Sequence, residues 1–161
     1  MPIRAEARID IARTPDEVFD FVAVRWFENL RRWSEALIEV TPLSPGAVGL
    51  GTRGVEVRRT RVGKQRAQPH GRTFEVTLFD PPRSFAVTGV EDGGPGSGYS
   101  RRYDFAQLGS RTRVWYRFEQ EMEIGALNIA VLYLLSPITR FRRRRELGRD
   151  LGRLREAMEA R

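Results

Sequence analysis

The chain has 161 residues, 40% of them apolar and 30% charged, the size and balance of one soluble domain with a single core over residues 1–161. It has no cysteine, which excludes disulfides, thiolate nucleophiles and cysteine-ligated zinc. The net charge of +7 is almost wholly arginine, Lys64 being the only lysine, and a high-GC bacterial coding bias explains that as well as function does. The start, MPIRAEARIDI, lacks an apolar signal core, and the largely apolar run 124–135 falls short of the about 20 residues that span a bilayer. The expected location is therefore the cytoplasm.

Residues 3–11 alternate, with Ile3, Ala5, Ala7, Ile9 and Ile11 on one side and charged residues on the other, which predicts a strand with one wet face. A helix start follows: Thr14 can cap, Pro15 suits the first helical position, and Glu17 completes a capping box. Val18, Phe19, Phe21 and Val22 give that helix its apolar face. A second short helix is expected over 26–34, where Phe27, Leu30 and Trp33 recur at helical spacing. Six further strands follow at about 36–43, 51–62, 72–80, 84–91, 98–107 and 111–123, separated by turn chemistry such as SPGAVGLG, DPPR, DGGPGSG and LGS. Short links between successive strands favour an antiparallel meander. In the last strand Val114, Tyr116, Phe118, Gln120 and Met122 face one way, and charged residues with Trp115 face the other.

A long helical stretch, 125–160, closes the chain. Leu127, Val131, Leu134, Ile138 and Phe141 form one apolar stripe. Leu147, Leu151, Leu154 and Met158 form another, rotated around the axis. The change of phase lies near Pro137, which either kinks the helix or opens a new one capped by Ser136. Gly148 and Gly152 either allow close approach to the sheet or are tolerated weak spots. A helix of this length needs a broad surface, so the fold class is α+β: a seven-stranded antiparallel sheet wrapped around a long C-terminal helix, with two short helices after the first strand.

The order of these segments resembles the START-like, or SRPBCC, superfamily with its helix-grip fold, and within it the polyketide cyclase/dehydrase and lipid-transport family. The resemblance rests on IDIARTPDEVFDFVA, NLRRWSEAL, FDPPRSFAV, SRTRVWYRFE and RELGRDLGRLREAME, and covers nearly the whole chain. It implies a cavity between sheet and long helix that holds a hydrophobic or amphipathic small molecule. It brings no shared catalytic signature, so the catalytic residues are unknown and the site must be argued from the residues themselves.

Metal and cofactor chemistry find little support. His70 is the single histidine, in the loop-like QPHG, without partner ligands or a serine elbow. Gly93, Gly94, Gly96 and Gly98 lack the following helix that a phosphate loop needs. No metal and no cofactor are expected. The better candidates are polar residues on inward strand faces. Tyr99, Arg101, Tyr103 and Phe105 share one parity, so Arg101 projects among apolar groups and either meets an internal acid, such as Glu75, meets a ligand anion, or snorkels out. Tyr116, Phe118 and Gln120 face it from the last strand, and Leu127, Val131, Leu134, Leu135 and Ile138 would line the helix side of the cavity.

From Arg140 onward nine arginines stand against four acids. The plain reading is a solvated helix face. The functional reading is peripheral contact with an anionic membrane through Arg142, Arg143, Arg144 and Arg145. A nucleic-acid partner is not expected. The expected function is binding or carrying a lipid or polyketide-like molecule. The alternatives are an aromatase/cyclase-type enzyme and a membrane-associated lipid-handling protein.

Overall fold

The computed structural model describes residues 2–60, 68–91, 98–121 and 129–160, and the side chains of 2, 60, 68, 70, 91 and 129–135 are outside that description. The elements are β1 (Pro2–Ile11), α1 (Pro15–Phe19), a π-helical turn (Asp20–Val24), α2 (Trp26–Trp33), β2 (Leu37–Pro42), β3 (Arg53–Thr60), β4 (Gln68–Asp80), β5 (Ser84–Glu91), β6 (Gly98–Leu108), β7 (Arg111–Glu121) and α3 (Ile129–Glu159). All seven strands form one antiparallel sheet in the order β1-β7-β6-β5-β4-β3-β2. β1 closes on β7, with Ile9 opposite Val114 and Ile3 opposite Gln120. β4 begins earlier than the sequence suggested, so His70 lies within a strand opposite Arg58 rather than in a loop.

Local chemistry sets the ends of these elements. The Thr14 hydroxyl accepts from the Glu17 amide, while a Glu17 carboxylate oxygen accepts from the Thr14 amide at 2.9 Å, which satisfies two donors that a helix start otherwise leaves bare. Glu159, at the end of α3, accepts from the Ala12 amide at 2.8 Å and ties the helix to the exit of β1.

The core lies between the concave face of the sheet and the helices. Val114, Tyr116, Phe118 and Gln120 are buried, as the alternation in β7 predicted. Trp26 of α2 packs its ring against Phe74, Phe85 and Tyr103. From α3, Leu147, Leu151, Leu154 and Met158 enter the same core, and each such side chain stabilises the fold by about 1.5–3 kcal/mol on burial.

α3 is a single helix with Pro137 inside it. The two residues of its earlier stripe whose side chains are described behave differently from the later stripe. Ile138 is 53% exposed and Phe141 67%, so both look outward, and Ile138 does not form the cavity wall expected of it. At about 100° per residue they stand opposite the buried leucines. Nothing lies within 4 Å of the Cβ positions that Gly148 and Gly152 lack, so neither glycine serves a close approach. Gly93, Gly94, Gly96, Met122 and Leu127 fall outside the described residues.

Candidate functional site

The concave face carries a polar cluster built around one carboxylate. Glu56 of β3 has no exposed surface. Its Oε2 accepts from Arg101 Nη1 of β6 at 2.9 Å, its Oε1 accepts from Arg101 Nη2, and the same oxygen accepts from the Tyr99 hydroxyl at 3.0 Å. Arg101 and Glu56 therefore meet as a planar fork on a carboxylate, the strongest form of a charge-assisted pair. Arg58 Nε lies 3.1 Å from Glu56 Oε2, within ion-pair reach but off-line, and its N–H makes no hydrogen bond.

Sheet curvature and one glycine make this meeting possible. β6 and β3 are separated by β5 and β4, so the inward side chains must converge across the hollow of the sheet. Gly89 of β5 stands opposite Tyr99. A Cβ there would lie 2.8 Å from the Tyr99 phenol and 2.4 Å from the Thr73 carbonyl. The missing side chain is the space through which the phenol reaches Glu56. Arg72, opposite Glu56 on β4, places its guanidinium 5.0 Å from the centre of the Tyr99 ring, and Arg101 lies 4.9 Å from it, both within cation–π range.

Electrostatics fix the protons of this cluster. Burial alone would push the Glu56 carboxyl up, but the charges of Arg101 and Arg58 and the hydrogen bonds from Arg101 and Tyr99 outweigh it and hold the group far below the usual carboxylate range. Burial pushes the Tyr99 phenol well up, with help from Glu56 and against Arg101. Burial opposes the charge on Arg101, and Glu56 more than restores it. Tyr103, stacked on Tyr116 with ring centres 4.5 Å apart, is also driven well up by burial. Asp150 of α3 approaches from the helix side. It accepts from the Glu35 amide at 3.2 Å. Burial raises its pKa, against the pull of Arg58 and Arg101.

Above this floor sits Arg143 of α3. Its guanidinium lies 4.7 Å from the centre of the Phe118 ring and donates through Nη2 to Gln120 Oε1 at 3.4 Å and through Nη1 to Glu146 at 3.1 Å. Its side chain is about one-third exposed, and that of Glu146 is mostly so. Of the four arginines expected to act together, Arg142, Arg144 and Arg145 are exposed while Arg143 turns towards the sheet.

The structure thus brings Tyr99, Arg101, Tyr103, Tyr116, Phe118 and Gln120 to one concave face. Leu127 and the side chains of Val131, Leu134 and Leu135 lie outside the described residues, and Ile138 is turned to solvent. The acid that meets Arg101 is Glu56 and not Glu75, which is exposed on the other face. The sequence reading missed Glu56, Arg58, Arg72 and Asp150. In β3 the flanking Val55 and Val57 are only half-buried, and Glu56 between them is the residue that faces inward. A cavity of about 530 Å³ opens elsewhere, beside Arg13, Thr14, Glu17, Arg25 and Met158. Thr14 and Glu17 there are engaged in the capping box and Arg25 pairs with Asp20, so the convergent chemistry of the concave face is the better guide to a site.

Comparison with known proteins agrees with this architecture. TTHA0849 from Thermus thermophilus is 18% identical, with a TM-score of 0.68 over 98% of this chain and 97% of that one. Major latex-like protein 151 from Panax ginseng is 10% identical, with a TM-score of 0.63 over 92% and 98%. DynU16, a protein of the dynemicin biosynthetic locus, is 13% identical, with a TM-score of 0.60 over 98% of this chain and 47% of that one. These likenesses show the fold. No curated protein matches the sequence. The family model for polyketide cyclase/dehydrase and lipid transport matches residues 2–159. A sheet closed by β1 on β7, a long helix laid in its hollow and a sequence match over nearly every residue have one reading: the chain belongs to the polyketide cyclase/dehydrase and lipid-transport family.

Proposed function

We propose that the concave face beneath α3 binds a hydrophobic small molecule that carries an anionic group. The observation that carries this reading is the placement of Arg143. It is a partly buried cation lying over Phe118, where an aromatic floor of Tyr99, Tyr103, Tyr116 and Phe118 meets the terminal helix. Its bond to Gln120 is long, its acid partner is exposed, and a guanidinium has five N–H donors. Such a group can turn onto a carboxylate, enolate or phosphate while the apolar body of the ligand lies on the rings. Arg101, the earlier candidate for that contact, is 2% exposed with both terminal nitrogens on Glu56. It shapes the floor and leaves anion recognition to Arg143.

The same cluster favours binding over acid–base chemistry. A general acid or base works best with a pKa near the operating pH. Here Glu56 is held ionised, and Tyr99 and Tyr103 are held protonated. The family's description, polyketide cyclase/dehydrase and lipid transport, fits a lipid or polyketide-like ligand.

Two fluorescent probes of similar shape test the reading: 1-anilinonaphthalene-8-sulfonate, which is anionic, and N-phenyl-1-naphthylamine, which is neutral. The parent chain should bind both. Arg143→Met should weaken the sulfonate by about 1.5–3 kcal/mol, the worth of a hydrogen bond to a charged group, and leave the neutral probe unchanged. Equal weakening of both probes, or no binding of either to the parent, refutes the proposal.

A further inference from the structure

The outward face of α3 has a composition that the ligand site does not explain. Ile138 and Phe141 are exposed, and Arg140, Arg142, Arg144, Arg145 and Arg149 are exposed along the same stretch of helix. Ile138, Phe141, Arg142, Arg145 and Arg149 fall within about 100° of arc on the helix, opposite Leu147, Leu151 and Leu154. Residues 138–145 include no acid, and these five arginines form no ion pair among the described residues. A large aromatic two-thirds exposed in the middle of such a cluster gains nothing from water. No helix among the described residues is long and apolar enough to cross a membrane.

We propose that this face docks the protein on an anionic lipid bilayer, with Phe141 and Ile138 entering the interface and the arginines on the headgroup phosphates. A bilayer supplies both complements at once, a layer of negative charge and an apolar phase directly beneath it, which is the pattern of an interfacial amphipathic helix. A second copy of the chain fits poorly, because a twofold contact would set this positive patch against itself. A nucleic acid would meet the charge but offers no aliphatic layer for Ile138. The proposal is independent of which ligand the concave face takes.

The test is co-sedimentation of the full chain with vesicles of phosphatidylcholine alone and of phosphatidylcholine with phosphatidylglycerol. The chain should bind the anionic vesicles and hardly the neutral ones, and added salt should release it. Arg145→Gln should lower partitioning about fivefold, the equivalent of about 1 kcal/mol for one basic residue at the surface. Phe141→Ser should lower it about tenfold or more, through lost apolar burial. Both positions are exposed, so neither change should disturb the fold, and 1-anilinonaphthalene-8-sulfonate binding should stay as in the parent. Three results each overturn the proposal: no binding to anionic vesicles, equal binding to both vesicle types, or partitioning indifferent to Phe141→Ser. Binding to double-stranded DNA at the same salt with none to vesicles would transfer the surface to a nucleic-acid partner and equally overturn it.

Discussion

Replacing Arg101 by Met tests whether the polar floor is held by its buried pair. The substitution keeps an apolar stem of similar length but removes two charge-assisted hydrogen bonds from Glu56. The carboxylate, wholly buried, is left with the Tyr99 hydroxyl and the off-line contact to Arg58. Deleting one partner of a buried pair costs about 3–5 kcal/mol, chiefly because the other charge is stranded. For a chain of this length that is a fall of roughly 6–20 °C in Tm. Adding Glu56→Gln removes the stranded charge, and the double variant should recover most of the loss. The pH dependence sharpens the test. In the parent, the folded pKa of Glu56 lies below its ordinary 4.5, so the pair contributes stability that is fully present above about pH 4.5 and is lost as pH falls through the folded value. In the variant the main opposing charge is gone, and burial should raise the Glu56 pKa, so acidification relieves the stranded carboxylate. Urea unfolding across a pH series should therefore show the gap between parent and Arg101→Met narrowing as pH falls from 7 towards 4. A gap below about 1 kcal/mol at pH 7, the worth of one ordinary hydrogen bond, or a gap that does not change with pH, refutes the reasoning.

Two further outcomes are expected from the same floor. Gly89→Ala should destabilise the chain by about 1–3 kcal/mol, the usual range for overpacking, because the new Cβ meets the Thr73 carbonyl and the Tyr99 phenol; a variant as stable as the parent in urea would show that the phenol does not need that space. Of the four tyrosines, Tyr99 and Tyr103 should stay protonated beyond the ordinary pKa of 10.0. An ultraviolet titration of the folded chain should then ionise only part of its phenols just above that pH, with the remainder following on unfolding; complete ionisation while folded would contradict the burial.

The fold was legible because its signals are local. The Thr14–Glu17 capping box, the alternation through Gln120 and the leucine repeat from Leu147 each depend on residues a few positions apart. The floor of the site was half legible for the same reason. Parity in β6 and β7 placed Tyr99, Arg101, Tyr103, Tyr116, Phe118 and Gln120 together, but the partner of Arg101 lies 45 residues away on β3. There the local pattern misleads. Val55 and Val57 have the look of an inward face, yet the valines are only half-buried and Glu56 is the residue without exposed surface. A buried guanidinium made an acid necessary, but only the curvature of the sheet could say which one. Ile138 shows the converse. Its place in a helical stripe assigned it to the cavity side, yet it is turned to solvent, because an apolar face does not say what it touches.

That ambiguity bears on the run of four arginines. Treated as one patch, residues 142–145 would all serve a membrane or all serve solvent. Geometry forbids it, since consecutive residues on a helix point about 100° apart. Arg143 falls on the side of the sheet, over Phe118 and against Gln120, while Arg142 and Arg145 share the outward arc with Phe141. On the two proposals, one turn of α3 carries the cation offered to a ligand and the cations offered to phosphate headgroups. A bilayer held by the outer arginines then lies across a single helix, about 10 Å in diameter, from the concave face. The two functions should be separable by substitution. Arg143→Met should impair the sulfonate probe and spare vesicle binding, and Arg145→Gln should do the reverse. A variant at either position that loses both would mean that the helix acts as one electrostatic patch, and that the inward turn of Arg143 has no functional consequence.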